Sequence, residues 1–480
     1  MPGGLPVKLR PCPYEFELDF DLCELRQGLQ QARSERPEVE PVLQLALDFV
    51  NLEQALRVAR EAVQGGVDWL EAGTPLIKSE GLDAVRALRR EFPSATIVAD
   101  MKVIDAGRLE TECAAKAGAN VVHVLGLASD LTIRECVEAA RRYDARVSVD
   151  LVGLGGTEAT CRRASEAEAM GAAYVCVHTP IDLQMRGELP FDDLQAVASR
   201  VSIPVAVAGG INSETAPQAL DAGASIVIVG GAIAKAPDAA AAARAIIQAM
   251  QTRTAVPTEL YKRAGPADIA RVLVRTSSAD VTEALHNSGV IEGVHPVVPG
   301  VRMAGRVLTV WTYPGDWAKP VEAIDAAGEG DVLVIDAGGR GPAVWGEKAT
   351  MSCLQRKLGG VVIHGAIRDT MNIRQMKFPA FASLVTPVAG EPKGQGMIGV
   401  PINIGGQYIR TGDWIVGDDD GVVLIPQERI VEVANRAQTV VEREDREMME
   451  IQDGRTLGEV SELMRWEQLR NKNDGKEGKA

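Results

Sequence analysis

No apolar run in this 480-residue chain approaches the ~18 to 20 residues that a helix needs to cross a bilayer. The first residues also lack the charged-then-apolar plan of a secretory leader, so a cytoplasmic protein with no membrane partner is expected. Positive charge is scarce. Against 66 Asp and Glu stand 51 Lys and Arg, a formal net charge of −15, which argues against a nucleic-acid partner because that footprint needs a basic patch or stripe. An acidic substrate must therefore be held by local groups. Cysteine is sparse as well. Cys12, Cys23, Cys113, Cys136, Cys161, Cys176 and Cys353 are odd in number, scattered, and form no Cys-x-x-Cys pair. Buried or free thiols are expected rather than a metal cluster or a disulfide framework.

What remains is an ordinary globular composition in a chain long enough for about two or three domains. Residues 1–40 mix prolines, an acidic patch and a polar helical stretch, and read as an extension. From Val42 the pattern is regular. Apolar, β-branched runs at Val42–Asp48, Trp69–Gly73, Thr96–Lys102, Asn120–Gly126, Arg146–Gly153, Tyr174–Pro180, Pro204–Gly210 and Ser225–Gly231 alternate with segments of helical spacing such as Glu214–Ala222. Eight such units over about 210 residues fit a (β/α)8 barrel better than an open sheet.

Chemistry in such barrels sits at the C-terminal strand ends. The polar residues expected there are Asp48, Glu71, Asp100, Lys102, His123, Asp150 and His178, followed by the pairs Gly209-Gly210 and Gly230-Gly231. So many carboxylates repel one another unless cations lie between them. Lys102 supplies one, and a divalent ion, most suitably Mg²⁺, supplies another while leaving room for substrate oxygens. Glycine pairs after strands seven and eight suit phosphate, held by backbone N–H groups, although each pair alone is equally a turn. His178 is read as catalytic because it falls on the rim and histidine is the side chain best suited to proton transfer at physiological pH. His123, inside the barrel or facing the helices, is read as structural.

The stretch Ala99-Asp-Met-Lys-Val-Ile-Asp-Ala-Gly107 is central. Asp100 and Lys102 are expected on one face of a strand, pointing into one pocket, with Asp105 in the turn that follows. The alternative is a surface salt bridge at a strand end.

Together with Leu45-Ala-Leu-Asp48, Glu71-Ala-Gly-Thr-Pro, Val124-Leu-Gly-Leu-Ala-Ser-Asp-Leu-Thr-Ile and Val177-His-Thr-Pro-Ile-Asp-Leu-Gln, this stretch resembles 3-hexulose-6-phosphate synthase of the orotidine-5′-phosphate decarboxylase superfamily, over about residues 41–250. The resemblance implies Mg²⁺-dependent aldol addition of formaldehyde to ribulose 5-phosphate, in a homo-oligomer with sites shared across a barrel dimer. By position it implies Glu71 and Asp100 as metal ligands. Lys102 and Asp150 would meet the enediolate and sugar hydroxyls, and His178 would be the acid/base. Asp48 would support Lys102, and Asp105 would reach the partner subunit's site. 3-Keto-L-gulonate-6-phosphate decarboxylase is similar at the Asp-x-Lys-x-x-Asp stretch and is the competing reading. Gly231 departs from the many superfamily members that carry Arg beside the phosphate.

Residues 251–262 read as a linker into a different pattern. Short strands are expected at Gly305–Thr312, Asp331–Ala337, Gly360–Ile367, Ala380–Thr386 and Trp414–Pro426, with helices at Ser278–Ser288 and Glu347–Leu358. A mixed β/β/α domain of the swivelling type, over 263–465, is expected rather than a second barrel, making the whole chain α/β. The tail over 466–480, rich in Lys, Asn and Gly, reads as disordered. In Val362-Ile-His-Gly-Ala-Ile-Arg-Asp-Thr370, Arg368 and Asp369 need not pair with each other and present a carboxylate binder beside a metal ligand, unless they are an exposed strand-end pair. Gly346-Glu347 opens a helix suited to a small anion, after Gly338-Gly339-Arg340-Gly341.

With Gly417-Asp-Asp-Asp-Gly-Val-Val-Leu-Ile-Pro426, these residues resemble the 4-hydroxy-4-methyl-2-oxoglutarate aldolases and regulator-of-ribonuclease-activity-A-like proteins. For the aldolases the resemblance implies Mg²⁺ or Mn²⁺ on Asp369, a pyruvate-type oxo acid on Arg368, and Glu347 orienting a metal-bound water. A further carboxylate would come from a neighbouring subunit, with Glu442, Glu444 and Glu447 as candidates. The regulator branch implies a binding module instead.

Overall fold

The computed structural model describes residues 40–461. Residues 1–39, which hold most of the expected extension with Cys12 and Cys23, and the expected tail lie outside the described residues. The described residues from Pro41 onward form one compact unit.

Eight parallel strands close into a barrel: β1 (Val42–Leu47), β2 (Trp69–Ala72), β3 (Thr96–Val103), β4 (Val121–Leu125), β5 (Arg146–Asp150), β6 (Tyr174–His178), β7 (Val205–Ala208) and β8 (Ile226–Val229). The ring shuts where Val42 pairs with Ile226. Period-two alternation decides the two faces. Leu43, Leu45 and Leu47 point out and pack, with Leu70, Ile97, Val122, Val149 and Val227, against the surrounding helices. Ala46, Val98, Val121, Cys176, Ala206 and Ile228 fill the lumen. Small residues among these lumen positions leave space above them, which the polar strand-end residues line.

One strand breaks the alternation. Between Ala99 and Val103 the pairing of β3 with β4 shifts register, and Lys102 takes a left-handed φ of 47°. Asp100 and Lys102 meet, as the alternating pattern predicts, but through this irregularity rather than through plain two-residue spacing.

The second domain is mixed. Its strands are β9 (His295–Pro296), β10 (Met303–Thr312), β11 (Val332–Asp336), β12 (Ala343–Trp345), β13 (Gly360–Ile367), β14 (Ala380–Val385), β15 (Gly396–Ile398), β16 (Ile402–Ile404), β17 (Gln407–Ile409), β18 (Trp414–Asp418) and β19 (Gly421–Ile425). The main sheet runs β19-β18-β10-β11-β13-β14-β9, with β12 on β13 and β15 on β10. The single strand expected over Trp414–Pro426 is a hairpin, because Asp419-Asp420 turns the chain between β18 and β19.

A 23-residue helix, Ile430–Gln452, follows β19 and returns to the barrel. Its buried Asn435 accepts from the Ala264 N–H at 2.7 Å and donates to the Met185 carbonyl at 2.9 Å. Lower down, Arg446 pairs with Glu61 at 3.0 Å and donates to the Ala236 carbonyl at 2.7 Å. The segment read as a linker is tied down on the way: Val256 N–H reaches the Ser213 carbonyl at 3.1 Å, and Lys262 pairs with Glu214 at 3.0 Å. Among the described residues Cys113, Cys136, Cys161, Cys176 and Cys353 are free thiols, and no helix is long and apolar enough to cross a membrane.

Candidate active site

The strand ends open into a cleft of about 750 Å³ whose walls include Asp48, Glu71, Asp100, Lys102, His123, Asp150, His178, Gly209, Gly210, Gly230 and Gly231. Every barrel residue singled out in the sequence is there except Asp105. That residue stands exposed on the turn after β3 and caps the Ala106 N–H with its own carboxylate at 2.7 Å.

The floor of the cleft is a chain of charges. Lys102 Nζ lies 3.0 Å from both Asp100 and Asp150, and Asp150 in turn meets His178 Nδ1 at 3.1 Å. Asp150 is fully buried. Burial alone raises its pKa, but the hydrogen bond from His178 and the charges of His178 and Lys102 hold it well below the usual carboxylate range. Burial likewise disfavours the Lys102 ammonium, yet Asp150 and Asp100 keep its pKa above the ordinary value. An ionised Asp150 fixes the tautomer of its neighbour: Nδ1 of His178 carries the proton, and Nε2 is the basic nitrogen.

The opposite flank is short of positive charge. Burial, then the nearby Asp100 and Asp48, push Glu71 well above the ordinary range, against the hydrogen bond of 2.5 Å that it accepts from Gln44. Asp48 is raised too, by burial and by Asp100. Asp100 accepts from Thr74 Oγ1 at 2.7 Å. Asp48, Glu71 and Asp100 line the cleft with the hard oxygen donors that suit a divalent cation. His123 belongs to this neighbourhood. The sequence reading set it aside as structural; it faces the lumen, with Nδ1 3.9 Å from Asp100, and burial lowers its pKa. Asp100, His123 and Asp150 bring one ligand atom each within 4.8 Å of one another. The signal was the alternation itself, since His123 shares the inward face of β4 with Val121.

At the far end, positive φ values at Gly209 and Gly210, 115° and 72°, let β7 turn away sharply. Gly231 is needed for a different reason. A Cβ there would lie 2.1 Å from the ring of Tyr261, which fills the space instead.

In the second domain Arg368 and Asp369, which need not pair, do so here: Arg368 Nε lies 3.2 Å from each carboxylate oxygen of Asp369. The reason is the left-handed φ of 57° at Asp369, which folds its side chain back at the start of helix Thr370–Met376. Asp369 Oδ2 also receives the Glu347 N–H at 3.3 Å, and Glu347 is hydrogen-bonded to Asn372. The three expected residues therefore converge. Of the three candidate glutamates, Glu442 is committed elsewhere, because it is buried against the barrel and accepts the Tyr261 N–H at 2.6 Å.

Residues 41–246 match the family described as orotidine 5'-phosphate decarboxylase / HUMPS, and residues 278–424 match the RraA-like family described as Aldolase/RraA. The 3-hexulose-6-phosphate synthase of Bacillus subtilis is 40% identical over 199 residues, 41% of this chain and 93% of that protein. The chain belongs to the 3-hexulose-6-phosphate synthase family. The Mycobacterium gastri synthase is 42% identical over 202 residues, 42% of this chain and 96% of that protein. A crystal structure of a 3-hexulose-6-phosphate synthase has 41% identity, with a TM-score of 0.42, covering 44% of this chain and 99% of its own. This synthase-family chain is thus a fusion, its barrel followed by an RraA-like domain.

Proposed function

We propose that the barrel adds formaldehyde to ribulose 5-phosphate, giving 3-hexulose 6-phosphate, and catalyses the reverse cleavage. The observation that carries this reading is the Asp100–Lys102–Asp150–His178 chain, with both aspartates 3.0 Å from one ammonium. Forming the new bond requires removal of a proton from the carbon beside the ketone, and His178 Nε2 is the base in reach of the cleft. The electron pair moves onto the ketone oxygen as an enediolate, which Lys102 faces with its ammonium while Asp150 orients the hydroxyls. The carbon so activated attacks formaldehyde, and the proton held by His178 returns to the new alkoxide. Glu71 and Asp100 would hold Mg²⁺, which when bound supplies further positive charge at the substrate oxygens. Asp48 supports the Lys102 side of the site, and the Gly209-Gly210 and Gly230-Gly231 turns receive the phosphate.

The barrel acts as a dimer in this reading. Ile104, Leu109, Leu127 and Leu131 are each more than half exposed around the turn that carries Asp105, an apolar edge that suits a second copy. The RraA-like domain is a metal-dependent lyase for a pyruvate-type oxo acid, with Asp369 on Mg²⁺ or Mn²⁺, Arg368 on the substrate carboxylate and Glu347 orienting water. Support comes from the terminal guanidinium nitrogens of Arg368, which have no hydrogen-bond partner among the described residues.

The test is formaldehyde consumption by the purified chain with ribulose 5-phosphate, with and without Mg²⁺, beside CO₂ release from 3-keto-L-gulonate 6-phosphate. Metal-dependent formaldehyde loss is expected. Release of CO₂ in its place would transfer the site to the decarboxylase reaction.

A further inference from the structure

Lys235 is an ammonium that lines the cleft without a hydrogen bond or ion pair among the described residues. It follows the short helix Gly231–Ala234 and lines the cleft beside Gly230 and Gly231. Among the described residues no hydrogen bond or ion pair reaches its Nζ, which lies 5.7 Å from the centre of the Tyr261 ring. Burial drives its pKa down to about 8; Arg263 and Arg443 push the same way, while Glu442 and Asp48 oppose. A half-buried cation with no direct hydrogen bond or ion pair among the described residues, at the end of the cleft where backbone turns open, is a receptor for an anion.

Tyr261 forms the wall beside it, yet no barrel element supplies Tyr261. The residue lies in the segment that joins the two domains, with a left-handed φ of 53°, and its ring occupies the space above Gly231. Such a conformation persists only where surroundings impose it. They do so from the second domain. Glu442 accepts the Tyr261 N–H at 2.6 Å, and Asn435 and Thr439, two turns and one turn before it on the long helix, accept from Ala264 N–H at 2.7 Å and Arg263 Nη1 at 3.1 Å. The Arg263 guanidinium lies 4.0 Å over the Tyr261 ring, with Nε and Nη2 buried and without a hydrogen bond among the described residues. The second domain thus grips the segment at Tyr261, Arg263 and Ala264.

We propose that the phosphate end of the barrel site is built by both domains: Lys235 takes the substrate phosphate, Tyr261 walls it in, and Glu442 is the positioning residue that holds Tyr261 there. The identity of the sugar phosphate rests on the reading above; the anion site does not.

The experiment uses the full chain and two readouts: calorimetric titration with inorganic phosphate, and KM and kcat for ribulose 5-phosphate at saturating formaldehyde. Lys235→Met is expected to weaken phosphate binding and raise KM, each by about tenfold or more, as for loss of one charge-assisted hydrogen bond, with kcat little changed. Glu442→Ala is expected to raise KM about threefold or more, and Glu442→Gln, which keeps an acceptor for the Tyr261 N–H, to restore it. Rescue by glutamine separates positioning from general destabilisation. Unchanged phosphate affinity in Lys235→Met, or no phosphate binding by the parent chain, overturns the assignment of Lys235. A KM in Glu442→Ala equal to that of the parent overturns the contribution of the second domain. If ribulose 5-phosphate is not turned over but the phosphate titrations follow the expected order, the substrate reading fails and the two-domain anion site stands.

Discussion

Replacing Lys235 by methionine should make the ligand-free protein more stable. The side chain keeps its length and apolar stem but loses a charge that the fold holds at a disadvantage. Lowering the pKa from its ordinary 10.5 to about 8 corresponds, at about 1.4 kcal/mol per factor of ten, to at most about 3 kcal/mol. The sign follows from proton binding. Between pH 8 and 10.5 the unfolded chain holds the proton while the folded chain releases it, so stability rises with pH through that window. Below pH 8 both states are protonated and the full penalty is present. Urea midpoints of parent and variant should therefore differ most at pH 7, with the variant higher, and the gap should narrow to about 1 kcal/mol near pH 9.5. Tyr261 and Glu442, whose pKa values are also raised by burial, are present in both proteins and largely cancel. Added phosphate should reverse the order at pH 7, because it stabilises only the chain that binds it. A variant no more stable than the parent at pH 7, or a gap independent of pH, would refute the argument that this ammonium is held without a partner.

Three further outcomes are expected. Asp150→Asn keeps the shape of the side chain but removes the charge that orients His178 and holds Lys102, so kcat for the condensation should fall by about 10²- to 10⁴-fold, measured by formaldehyde consumption. Gly231→Ala puts a methyl 2.1 Å from the Tyr261 ring; the ring must move, and KM for the sugar phosphate should rise with little change in kcat. In the second domain, Arg368→Ala should abolish calorimetric binding of pyruvate in the presence of Mn²⁺, and binding equal to that of the parent would take Arg368 out of that site.

The barrel was legible because its strands are short, apolar and evenly spaced, and because outward leucines and inward small or polar residues alternate as a closed sheet requires. The convergence of Asp100 and Lys102 was legible too, but not its route, since a register shift against β4 leaves no mark in residue type. His123, left open between the lumen and the helices, is placed by its face: counted from Val121 it points inward, to the carboxylates. In the second domain, the Asp419-Asp420-Gly421 turn signal was present within the run read as one strand and was overridden by its apolar flanks. The pairing of Arg368 with Asp369 depended on a left-handed backbone at an aspartate, which composition does not reveal. Least legible was the bond from Tyr261 to Glu442, 181 residues apart, which no local periodicity encodes.

The return of the long helix to the barrel changes how such a fusion evolves. A gene fragment ending near codon 262 would encode every strand of the barrel yet leave Tyr261 without Glu442 and the Met185 carbonyl without Asn435. Exchange of the downstream module for another of the same fold would import a helix lacking the partners of Glu61 and Met185. Recombination at the apparent seam is therefore penalised on both sides, and the halves descend as one heritable unit. In the proposed function, selection for sugar-phosphate affinity then reaches codons far downstream, in the RraA-like half of the chain.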